Sequence, residues 1–243
     1  MRHRHGSFHG KDDRHVGAAS QPPAEASRGN YGFVIEPSPL SMQSTDMRRT
    51  QGLFVAWGLN IGQFTPKSLV QAACDGGFTW IALQVEENSA HVHALRSACI
   101  EGGLAFGLWE AEPSPGSGAE HVRDAGATFY IAQAEAPQDW AAITSDFRSH
   151  YPTMPAAVVT NFGGIEDPVS CQPLVAAQFS CLTECYVADN PMATPENQDV
   201  MARQRGWRNS QPVLGLYHGV TYDDYNLKCL KGWSVWLAEF LLD

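Results

Sequence analysis

Three pairs of polar side chains, each separated by two positions, stand within or just beyond apolar runs of this chain: Gln133 with Glu135 at the end of the fourth run, Glu184 with Tyr186 within the sixth, and Glu110 with Glu112 beyond the third. Residues i and i+2 of a strand share a face, so each pair points one way if its run is extended. Two carboxylates about 5–9 Å apart are the minimum for glycoside hydrolysis, one donating a proton and the other acting as nucleophile or base. Glu135, Glu184 and Glu110 are the candidates for those catalytic roles. Crowding and partial burial would raise the pKa of one acid and keep it protonated, as acid catalysis requires. Asn60, Gln133 and His218 add hydrogen-bonding groups, and Trp109, Tyr186 and Tyr217 add flat rings suited to stacking on sugars. The plainer readings are a rim acid in an ion pair with Arg or Lys, a satisfied rim histidine, and tryptophans that simply fill a core.

The elements that must position these groups repeat about eight times. Apolar runs at 53–59, 79–85, 104–109, 128–132, 156–160, 182–187, 212–217 and 233–237 alternate with helix-like segments. A carboxylate, amide or imidazole follows nearly every run: Asn60, Glu86, Glu110, Glu135, Asn161, Asp189, His218 and Glu239. Strand-then-helix repetition argues a parallel sheet with helical crossovers, and eight units close a (β/α)8 TIM barrel, whose active face is the C-terminal ends of its strands. The alternative is an open doubly wound sheet, disfavoured because no Gly-x-Gly-x-x-Gly turn follows the first run. Pro66 and Thr194-Pro195 read as helix starts, Asp139-Trp140 opens another helix, and Gly76-Gly77, Gly102-Gly103 and Gly126 read as stops. A short third helix is expected from 119 to 124.

Composition bounds what such a barrel does. Charged residues are 17% of the chain and hydrophobics 44%, enough for a sizeable core. The net charge of −10 argues against nucleic acid and anionic membranes, both of which attract basic surfaces. Membrane insertion is not expected, since no apolar run approaches the roughly 20 residues a span needs. Nor does an apolar stretch follow Met1-Arg2-His3-Arg4-His5-Gly6, so no secretory signal is read there. The six cysteines lack paired metal-ligand spacing, so neither a metal nor a cofactor is expected and buried thiols are the better reading. Residues 1–50 differ in kind. Their His-, Pro- and Gly-rich composition cannot fold alone, so the division is an extended, partner-bound arm at 1–50, anchored by Tyr31-Gly32-Phe33-Val34-Ile35, and a barrel at 51–243.

The runs Phe129-Tyr130-Ile131-Ala132-Gln133-Ala134-Glu135, Thr183-Glu184-Cys185-Tyr186, Val213-Leu214-Gly215-Leu216-Tyr217 and Trp233-Ser234-Val235-Trp236-Leu237-Ala238-Glu239 resemble the glycoside-hydrolase-like barrels in minor tail proteins of actinobacterial phages. The likeness covers about residues 52–243. More remotely, strand four is similar to the Asp-x-Glu strand of lysozyme-like family 25 glycoside hydrolases. Gln133 stands where that family has Asp, Asn60 stands where it has another, and Glu135 matches. The resemblance implies a virion tail location after synthesis in the host cytoplasm, contact with other tail proteins through residues 1–50, and host-envelope carbohydrate as ligand. Two amides in place of two acids suit a barrel that holds sugar, while the matching acid suits one that cleaves it.

Overall fold

Strands that are apolar on both faces need cover on both faces, which a parallel barrel inside a ring of helices supplies. The computed structural model describes residues 51–55, 64–85, 89–134, 137–161, 168–216, 218–225, 230 and 232–236. Its strands are β1 (Gln51–Val55), β2 (Trp80–Gln84), β3 (Ala105–Glu110), β4 (Phe129–Gln133), β5 (Ala156–Thr160), β6 (Ser180–Cys185), β7 (Ser210–Leu214) and β8 (Trp233–Trp236). They form a closed barrel in chain order, and every neighbouring pair is parallel. The closing ladder joins Gln51 to Trp233 and Phe54 to Trp236, which rules out the open sheet. The chain is a (β/α)8 TIM barrel. The expected arm, residues 1–50, lies outside the described residues.

Helices α1 (Pro66–Asp75), α2 (Ser89–Gly102), α3 (Ser117–Ala125), α4 (Trp140–His150), α5 (Pro168–Ala176) and α6 (Pro195–Gln204) follow the first six strands. After β7 the described chain makes only a 3-10 turn, Tyr222–Asp224. Local chemistry sets the boundaries. The Thr65 hydroxyl accepts from the Ser68 N–H at 3.2 Å while Ser68 Oγ accepts from the Thr65 N–H at 2.9 Å, a reciprocal cap before Pro66. Thr194 and Asp139 cap α6 and α4 by accepting from the Asn197 and Ala142 amides. The third helix starts earlier than expected, at Ser117, because the Ser117 hydroxyl closes a turn by accepting from the Ser114 N–H at 2.9 Å. It ends at Gly126, whose φ of 62° is the left-handed conformation glycine adopts at least cost. Strands β1, β6 and β7 begin at Gln51, Ser180 and Ser210, ahead of the apolar runs, because ladder pairing includes these polar edge residues.

Alternation along the strands divides the core into two shells. The inner shell is filled by Phe54, Trp80, Trp109, Phe129, Ile131 and Leu182, with smaller neighbours. Phe54 meets Trp80 edge-on at 5.5 Å, and Trp80 meets Phe129 at 5.3 Å. Room for these rings comes from inward-facing glycines: a Cβ at Gly52 would overlap the Trp80 ring, and one at Gly107 would overlap Phe129. The outer shell, between barrel and helices, includes Leu53, Val55, Ile81, Leu108, Tyr130 and Val158. Cys99, Cys171, Cys181 and Cys185 are buried thiols and Cys74 is half-buried; burial pushes the Cys99 thiol up to about 12.

The N-terminal end of the barrel is tied by Arg148. Its guanidinium donates to the Ala177 and Met154 carbonyls, each at 2.7 Å, and lies 4.9 Å over the Phe179 ring. One side chain thereby joins the end of α4, the approach to β5 and the turn before β6. In this fold that end contributes stability, and chemistry belongs to the other.

Candidate functional site

Parity and register decide which side chains reach the mouth. Trp80 and Ala82 pack inward on β2, Ile131 on β4 and Leu182 on β6. Two residues further along, Gln84, Gln133 and Glu184 continue that inward parity. Followed once around the barrel, the ladder register returns to β1 displaced by eight residues, the shear of a (β/α)8 barrel. That shear advances the level by one residue per strand, so Gln84, Gln133 and Glu184 share one layer, contributed by alternate strands. Directly beneath lies an apolar floor of Phe54, Trp109, Val159 and Val213. Asn161 extends the inward parity of β5 just above.

The layer is polar and mostly shielded. Glu184 is 3% exposed, and its Oε1 accepts from the Tyr186 hydroxyl at 3.1 Å. Gln84, Gln133, Asn161 and Tyr186 are half-buried. The Gln133 Oε1 atom is buried and has no hydrogen-bond partner. Leaving such an acceptor unmet costs about 1–3 kcal/mol, so a native protein keeps it only where strain, solvent or a ligand supplies a reason. The arrangement sets amide and hydroxyl hydrogen-bonding groups above an apolar floor, with one carboxylate able to accept or transfer a proton.

Two residues expected in the site stand elsewhere. Glu110 ends β3 on the outward parity of Phe106 and Leu108, within the layer between barrel and helices. Its Oε2 accepts from the Tyr130 hydroxyl at 2.6 Å. Its Oε1 is 3.5 Å from His121 Nδ1 on α3, within ion-pair range but not aligned as a hydrogen bond. Burial, then the Glu110 charge and hydrogen bond, push the Tyr130 phenol well above its ordinary value. Gly118 makes room for that ring, since a Cβ there would stand 2.7 Å from Tyr130 Cζ. Glu110 and Glu184 therefore occupy opposite sides of the barrel wall and do not form a catalytic pair. Trp109 is 4% exposed, edge-on to Phe54 at 6.3 Å, with its indole N–H donated to the Val55 carbonyl at 3.2 Å. It is floor, not a stacking surface.

The structure brings Gln133, Glu184 and Tyr186 together at the mouth. His218 is exposed on the turn after β7, with φ of 55°. Asn60, Glu135 and Tyr217 lie outside the described residues, and with them any pairing of Glu184 with Glu135. Gln84 was not anticipated. Its signal was available: it stands four residues after Trp80, on the same strand face. No group of three metal-ligating side chains occurs among the described residues, and no described helix is long and apolar enough to cross a membrane.

No protein family matches the sequence, and no curated relative is found. Solved structures share the architecture. An HpcH/HpaI aldolase from Desulfitobacterium hafniense DCB-2 is 10% identical with a TM-score of 0.51, over 78% of this chain and 86% of that one. The YdjI aldolase from Escherichia coli K12 is 12% identical with a TM-score of 0.50, over 78% and 75%. A chain of a cube-shaped protein cage designed by fusing symmetric oligomeric domains is 12% identical with a TM-score of 0.50; this chain covers 63% of its length, less than two thirds. At these identities the shared property is the TIM barrel. The likeness supports the expected fold and does not reach a glycoside-hydrolase or tail-protein identity.

Proposed function

We propose that the C-terminal mouth of this barrel binds a glycan of the host cell envelope and that the protein serves as a structural and attachment component of a phage tail. The observation that carries the binding reading is the layer of Gln84, Gln133 and Glu184, in which the Gln133 carbonyl oxygen is buried without a partner. Sugar hydroxyls are donors of the right size for that oxygen, and the amide N–H groups can return hydrogen bonds to the ring. The tail setting is supported by the sequence runs that resemble minor tail barrels, with residues 1–50 proposed as the contact to other tail proteins.

A second reading is an active glycoside hydrolase acting on cell-wall polysaccharide or peptidoglycan. It is favoured by the inward burial of Glu184, which would serve as base or nucleophile opposite Glu135 as proton donor. Purified actinobacterial cell walls separate the two. Wild type should sediment with the walls and release no new reducing ends; Glu135→Gln should bind as wild type does, and Glu184→Gln should bind at least tenfold more weakly. Release of reducing ends by wild type, reduced about 10²–10⁴-fold in Glu135→Gln, would establish the hydrolase instead. A wild type that neither binds nor cleaves the walls removes both readings.

A further inference from the structure

We draw no further inference here: the strongest candidate, the cluster of Glu110, Tyr130 and His121 in the joint between β3, β4 and α3, carries nothing because no feature of the structure shows a ligand or partner that the exposed part of His121 would meet.

Discussion

Glu110 and Glu184 look alike at every local level. Each is a carboxylate 3% exposed, within the last two residues of a strand, and each accepts a hydrogen bond from a tyrosine hydroxyl. One position of strand parity separates them. Glu184 follows Leu182 into the barrel interior, whereas Glu110 follows Leu108 out toward α3. The partners differ accordingly: Glu110 sits with Tyr130 and His121 in the joint between strand and helix, and Glu184 has the inward parity of its strand and accepts from Tyr186. Height along a strand therefore places an acid near the C-terminal face, and parity decides whether it faces the barrel interior or the helices.

The largest effect that tests this contrast is Glu110→Ala. It leaves the buried Tyr130 hydroxyl without its acceptor and should lower stability in urea unfolding by about 3 kcal/mol, the upper end for an orphaned buried donor. Saccharide affinity of the folded fraction should stay within twofold; a tenfold fall with unchanged stability would put Glu110 in the site and end the comparison. Tyr130→Phe removes the same hydrogen bond from the other side and should cost roughly 1–2 kcal/mol.

Alkaline titration sharpens the contrast further. The Tyr130 phenol is held neutral in the fold, so its contribution is complete below its ordinary value of 10.0 and is lost as pH rises above that, where only the unfolded chain ionises. The Cys99 thiol, raised from 9.0 to about 12, adds a loss across that interval. Thermal transitions recorded from pH 8 upward should fall with pH in wild type, and less steeply above pH 10 in Tyr130→Phe. A wild-type transition flat to pH 12 would contradict both assignments. The smallest effect belongs to Tyr186→Phe. Its half-buried hydroxyl should be worth about 0.5–1 kcal/mol of stability, with a change in sugar affinity that Tyr130→Phe does not share.

The same contrast explains what could be read from the chain. The barrel was legible because strand runs, Pro66, Thr194-Pro195, Asp139 and Gly126 all carry local chemistry that repeats with one period. Gln133, Glu184 and Tyr186 were legible through their i, i+2 spacing, although the run over 182–187 put Glu184 near the middle of a strand that ends at Cys185. Glu110 was misplaced because β3 is apolar on both faces, so hydropathy does not distinguish inward from outward there, whereas Trp109 faces inward as expected but packs one layer below the mouth. Gly107 faces inward with no side chain to mark it, and the signal that would have oriented β3 is a ring on the neighbouring strand, Phe129. Gln84 lies inside its apolar run, before Val85, and only the ladder register raises it to the same level as Glu184.

The glycines at 52 and 107 carry a different consequence, one for how this sequence is able to change. Gly52 and Trp80 divide a single volume between two strands, as do Gly107 and Phe129. Substitution at either member is judged by what stands at the other: Gly52→Ala overpacks the interior beside Trp80 and fits beside a smaller ring, whereas shrinking Trp80 alone leaves a void. Their effects should be strongly non-additive, the double change costing less than its parts. Descendants of this barrel are then expected to trade these residues in pairs, and a lone bulky residue at 52 or 107 would mark a chain whose interior has been rebuilt.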